Sequence, residues 1–302
     1  MRILDFVKPK ELARVARLQM LAREVVEGYC TGRHRSPHKG FSVEFKEHRQ
    51  YVQGDELKNI DWKVFAKSDR LFIRQYEEET NLRCSILVDQ SGSMEYGGTR
   101  SVEGLTKREY AVRLSAAIAY FLLGQQDPVG LITFDNEIRN QVPLRSRPSH
   151  LRAILTALLS NHDRRETDLG NVFRKVITKL GKRGLVVILS DSMGDIESLS
   201  RSLAQMRAAR HEVIFFQILD PDEVDFPFTG RVQFKDLELA APEQMVDARV
   251  LGDAYRQRLL QHNDDLKEAC RRSRVDLVQV TTDQPFVDVL HEYVAARRRL
   301  TR

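Results

Sequence analysis

The sequence predicts an α/β fold: a mostly parallel sheet with helices on both faces, preceded by a small N-terminal helix plus β unit. Three observations predict it. From Arg83 onward, short apolar runs alternate with longer amphipathic stretches, which is the pattern of strands buried on both sides between crossover helices. Two of the buried runs, 84–89 and 184–190, reach an aspartate at their carboxyl ends, Asp89 and Asp191. Ahead of them lies a section of mixed polarity, rich in turn residues and carrying the single tryptophan. A chain of 302 residues has room for about two domains at roughly 150 residues each. The boundary is expected at 81/82, giving an N-terminal unit 1–81 and an α/β domain 82–302.

In chain order, 9–28 reads as an amphipathic helix. Leu12, Val15, Ala16, Ala22, Val25 and Val26 recur at helical spacing, and Pro9 suits a first helical position. Residues 31–40 are basic and broken by Gly and Pro, as a loop is. Residues 41–45 alternate apolar and polar and predict a strand. The β-branched and aromatic content of 71–76 predicts another. Between them, Ile60 and Trp62 are expected to pack the small unit, with Asp55 and Asp61 as turn and cap residues. In the second section the strands are 84–89, 129–134, 138–144, 184–190, 213–219 and 275–280. The run 138–144 is more polar and is placed at an edge. The helices are 107–125, 149–160, 168–180, 196–210, 253–273 and 285–300, with Asp195 as the N-cap of the fourth. Residues 220–248, with Pro221, Pro227, Gly230 and Pro242, form a long insertion before the last α–β unit.

Composition narrows the function. With 42% hydrophobic and 30% charged residues, the chain is neither collagenous, mucin-like, wholly disordered nor a disulfide scaffold. Its 48 basic residues face 43 acidic ones, which is not the single-sign block of a nucleic-acid arm. Aromatic residues are not interleaved with the basic loop and tail, so no specific nucleic acid is expected. Cys30, Cys84 and Cys270 form no CxxC pair, which excludes a zinc knuckle and a thioredoxin-like motif and fits a reducing, cytoplasmic location. Residues 1–10 lack the apolar core of a signal peptide. The apolar run 111–124 contains Arg113 and is too short to cross a bilayer, so no direct membrane span is expected. His34 and His38 lie in the broken basic loop without further ligands, a poor zinc site. The motifs GxxxxGK[ST], GxSxG and HExxH do not occur.

The chemistry is expected at the strand ends, because open α/β sheets bind ligands beyond the carboxyl ends of their strands. Asp89-Gln-Ser91-Gly-Ser93 offers one carboxylate and two hydroxyls from a tight turn. Hard oxygen donors of this kind suit Mg2+ or Mn2+, with a further oxygen supplied from another loop.

This pattern resembles the metal-ion-dependent adhesion site of von Willebrand factor A domains. The resemblance adds Thr167, in Glu166-Thr-Asp-Leu, and Asp191, so the implied metal ligands are Asp89, Ser91, Ser93, Thr167 and Asp191. The rest of the chain resembles the domain-of-unknown-function 58 family of bacterial proteins, which carry a von Willebrand factor A-like, Rossmann-type domain. The similar runs are Gly40-Phe-Ser-Val-Glu-Phe45, Arg49-x-Tyr51-x-x-Gly54-Asp55, Ile60-Asp61-Trp62, Tyr76-Glu-Glu-Glu79 and Thr282-Asp283-x-Pro285. Together they cover about Gly32 to Arg299. Two positions depart from the wider class, which commonly has glycine where Glu166 and Ser192 stand.

The resemblance implies binding rather than turnover. A cation held by only two carboxylates keeps net electrophilicity, and an Asp or Glu of a protein partner can complete its coordination. It also implies a MoxR-type AAA+ ATPase as partner, with this chain as adaptor or co-chaperone. The alternative is a magnesium-dependent hydrolase of phosphate esters, since a metal with an open position polarises phosphate. The motif carries no evident general base for that reaction.

Overall fold

The computed structural model describes residues 43–53, 60–78, 82–160, 169–181, 183–234 and 244–301. They fall into two compact units, 43–78 and 82–301. The helix expected at 9–28 and the histidine pair at 34 and 38 lie outside the described residues, as do Asp55 and Thr167.

In the small unit, β1 (Val43–Gln50) pairs antiparallel with β2 (Phe72–Glu78), with a bulge between Phe45 and Glu47. A short helix, α1 (Trp62–Ser68), follows Asp61, whose carboxylate accepts the N–H groups of Lys63 and Val64 at 3.0 and 3.3 Å. Asp61 is thus the expected cap, satisfying amides that have no partner inside the helix. The expectation for Trp62 is corrected. Ile60 is buried and bridges to Ile73, but Trp62 is 59% exposed. Because Asp61 must cap α1, Trp62 becomes its first residue and turns outward, resting edge-on against Phe65.

The large unit is built on one six-stranded sheet. Its strands are β3 (Cys84–Asp89), β4 (Val129–Phe134), β5 (Ile138–Arg145), β6 (Leu185–Ser190), β7 (Glu212–Leu219) and β10 (Asp276–Thr281), in the order β10-β7-β6-β3-β4-β5. All neighbours are parallel except β4 and β5. The more polar β5 is the edge strand, as its sequence predicts. The helices are α2 (Lys107–Gly124), α3 (His150–Leu158), α4 (Leu169–Lys179), α5 (Ile196–Ala208), α6 (Pro221–Asp225), α7 (Ala248–Ser273) and α8 (Phe286–Thr301).

Alternation along each strand sorts side chains to two faces. Leu87, Phe134, Ile188 and Phe215 meet Phe173 of α4, Leu203 of α5 and Leu266 of α7 in one core. Helix α2 packs on the other side of β3, beside α3 and α8. Its Ala111, Ala116, Ala117 and Ala119 are fully buried. The described residues of the segment 220–248 form regular elements. These are α6 and a hairpin of β8 (Arg231–Phe234) and β9 (Gln244–Asp247). Among the described residues no helix is long and apolar enough to cross a membrane.

Candidate metal centre

Strands β3 and β6 are neighbours at the middle of the sheet, and their carboxyl ends bring the predicted residues together. Asp89 ends β3 and is buried. Its Oδ1 accepts the N–H of Ser91 at 2.9 Å, which folds the chain back in a tight turn. Its Oδ2 accepts the hydroxyl of Ser190, the last residue of β6, at 2.6 Å. The hydroxyls of Ser91 and Ser93 are hydrogen-bonded at 3.0 Å. A single 3-10 turn, Ser93–Glu95, follows, anchored by the fully buried Met94. Asp191 lies one residue beyond β6, with its Oδ1 on the N–H of Met193 at 3.2 Å. Four of the five predicted ligands, Asp89, Ser91, Ser93 and Asp191, therefore stand at the carboxyl end of the two central strands. Thr167, the fifth, is outside the described residues.

Two buried carboxylates repel. Burial first, and then the charge of Asp191, pushes the Asp89 carboxyl up to about 7, although Ser190 and Ser91 donate to it. Burial also works against ionised Asp191, but Lys107, with help from Met193 and Ser93, more than offsets it and holds Asp191 below the ordinary range. Among the described residues no cation is paired with Asp89. Its partners are hydroxyls and an amide.

Residues that sequence reasoning missed complete the surroundings. Lys107, the first residue of α2, is 0% exposed. Its Nζ donates to Asp191 Oδ2 at 2.8 Å and to Glu223 Oε1 at 2.6 Å. Glu223 sits in α6, and its other oxygen accepts the N–H of Asp220 at 2.9 Å in a capping box. Asp220 and Asp222 in turn accept the backbone N–H groups of Gly98 and Thr99, both at 2.9 Å. Arg100 reaches Asp222 at 2.6 Å, Asp225 at 2.7 Å, and the carbonyl of Pro221. The first turn of the supposed insertion is thus fastened to the loop that follows the serines. A signal was present: Asp220-Pro221-x-Glu223 is itself a helix-start pattern, with proline at the first helical position.

Ser192 occupies a left-handed conformation, φ 59°, which glycine adopts without strain. Here the turn is held from three sides. The Ser192 N–H donates to Ser190 Oγ at 3.0 Å, Gln217 Nε2 reaches Ser192 Oγ at 3.3 Å, and His262 Nε2 of α7 donates to the Ser192 carbonyl at 2.9 Å.

Comparison with known proteins gives the family. A family model described as "Protein of unknown function DUF58" matches residues 47–265, more than half of the chain. The chain belongs to the DUF58 family. An uncharacterized protein of Mycobacterium tuberculosis is 28% identical to this DUF58 chain over 298 residues, covering 98% of this chain and 92% of the relative. Among solved structures, BatB from Bacteroides thetaiotaomicron is similar at 16% identity and a TM-score of 0.43, covering 72% of this chain and 99% of BatB. The VWA domain of SpRpn10 is similar at 16% identity and a TM-score of 0.41, covering 70% and 95%. The sheet order of this DUF58 chain, with one antiparallel edge strand beyond β4, gives it a von Willebrand factor A-like fold.

The donor set fits a hard divalent ion. Asp89, Ser91, Ser93 and Asp191 offer only oxygen, from two carboxylates and two hydroxyls. Among the described residues no three His, Cys, Asp or Glu side chains are arranged to hold a metal ion by themselves, and the set at the strand ends combines carboxylates with hydroxyls.

Proposed function

We propose that this DUF58 chain is a non-enzymatic protein-interaction module whose contact depends on Mg2+ or Mn2+ held by Asp89, Ser91, Ser93, Thr167 and Asp191. The observation that carries this reading is the buried Asp89 carboxylate. It is set beside a second carboxylate at the open end of the sheet, without a cation of its own. An anion so placed is costly unless it is paired or coordinates a metal.

The role of each residue follows. The turn from Asp89 to Ser93 presents its hydroxyls side by side, and Ser190 orients the Asp89 carboxylate. Asp191 brings the second carboxylate from the neighbouring strand. A bound ion would offer an open position to an Asp or Glu of the partner. We further propose that the partner is a MoxR-type AAA+ ATPase in the cytoplasm, with this chain as adaptor or co-chaperone. That identification rests on the family resemblance.

The test is thermal unfolding in EDTA and in Mg2+ or Mn2+, for wild type and Asp89→Ala. At free metal about a hundredfold above the dissociation constant, linkage stabilises the folded state by about 2.7 kcal/mol. That corresponds to roughly 5–10 °C in a domain of this size. The rise is expected in wild type and absent in Asp89→Ala. Binding of the ATPase should be lost in EDTA and in the variant alike. Binding that survives chelation would reject metal dependence.

A further inference from the structure

Lys107 is buried against two rules at once. Lysine is almost never fully enclosed unless paired. The first turn of a helix also disfavours positive charge, because the N-terminal end of the dipole is itself positive. Both costs fall on the residue whose side chain is 0% exposed at the start of α2. Two carboxylates offset them, Asp191 at 2.8 Å and Glu223 at 2.6 Å. One of these belongs to the metal centre and the other does not. Lys107 therefore spends one hydrogen bond on an oxygen that a divalent ion would also claim.

We propose that Lys107 is a tethered counter-cation of the metal centre, holding Asp191 in the ion-free chain and competing with the divalent ion for that carboxylate. This rests on the reading above that the site takes an ion. Lys107 then sets the ion affinity low, and Glu223 provides the ammonium with an anchor once its share of Asp191 is reduced. In the ion-free chain Asp191 keeps a counter-charge while Asp89 has none among the described residues, so ion occupancy follows the free metal concentration and relieves the second carboxylate.

The test compares Mn2+ binding by isothermal titration calorimetry in the full chain, as wild type and as Lys107→Met combined with Glu223→Gln. The pair of substitutions removes one positive and one negative charge. The net charge around the site is unchanged, and Glu223 is not left buried without its cation, while Asp191 loses the ammonium, which is the contact under test. A change in affinity then reports the lost contact to Asp191 rather than the overall field. A charge-assisted hydrogen bond of ordinary strength corresponds to about ten- to hundredfold in a binding constant, so the double variant is expected to bind Mn2+ at least about tenfold more tightly. Equal or weaker binding by the variant would overturn the proposal and leave the metal reading standing. Binding by neither protein would overturn both. A second measurement needs no substitution. In 15N-lysine-labelled wild type, the enclosed Lys107 ammonium should give a hydrogen-bonded resonance that shifts on saturation with Mg2+. A resonance unmoved by Mg2+ would overturn the competition.

Discussion

Asp127, in the turn between α2 and β4, accepts the N–H of Leu82 at 3.0 Å and is only 7% exposed. Burial pushes its carboxyl up to about 6, against the opposing pull of the Leu82 amide. Between the ordinary carboxylate value, about 3.9, and this raised one, the folded chain holds a proton that the unfolded chain gives up. Stability therefore falls as pH rises through that window. Asp127→Asn keeps an acceptor oxygen for Leu82 and carries no charge. It is expected to exceed wild type in stability at pH 7 by about 1–3 kcal/mol and to match it near pH 3. Urea unfolding at both pH values checks this, and a gain of equal size at both would refute the titration as its cause. The same scale shows what was legible in the sequence. Asp89, Ser91, Ser93 and Asp191 stood out because polar residues directly after an apolar strand are conspicuous. Lys107 and Glu223 did not, because single charges on helices look like a solvated surface. Their partners lie far along the chain, 84 residues for Lys107–Asp191 and 116 for Lys107–Glu223.

Helix α2 carries the counter-cation, and its start is fixed by a capping box. The Thr106 hydroxyl accepts the N–H of Glu109 at 3.2 Å, while the Glu109 carboxylate accepts the N–H of Thr106 at 3.0 Å. Thr106→Ala removes one half of that exchange and should cost about 1 kcal/mol, measured as a lower denaturant midpoint with an unchanged slope. Because Lys107 is the next residue, the same variant should also alter the Mn2+ affinity, which a surface cap elsewhere, such as Asp195 of α5, should not. Element types were readable where periodicity was strong, and six strands of the main sheet fall within a residue or so of their expected ends. Boundaries failed where a cap lay outside the apolar pattern. Helix α7 starts at Ala248 rather than 253, because Asp247 accepts the N–H of Arg249 at 3.0 Å and opens the helix five residues early. The pairing of β8 with β9 was missed because strands of four residues are too short for their alternation to register.

In the large unit, one continuous core is shared by the sheet with α4, α5 and α7. Phe173 is fully buried there, edge-on to Phe134 with ring centroids 5.3 Å apart. Phe173→Ala should cost about 3–5 kcal/mol, lowering the thermal midpoint by roughly 10 °C or more. Thermal unfolding checks it, and a loss under about 1 kcal/mol would mean that the cavity collapses. The candidate metal centre stands at the strand ends above this core. Ser190 donates to Asp89 across 101 residues of chain, and β6 supplies Asp191 only when it lies beside β3. Contacts so distant in sequence form slowly, since loop closure must precede their reward. As the chain leaves the ribosome, the serine turn emerges long before Asp191, and Glu223 emerges later still. No early fragment can bring Asp89 and Asp191 side by side, so a nascent or broken chain carries the two carboxylates apart, and their juxtaposition waits on the finished sheet.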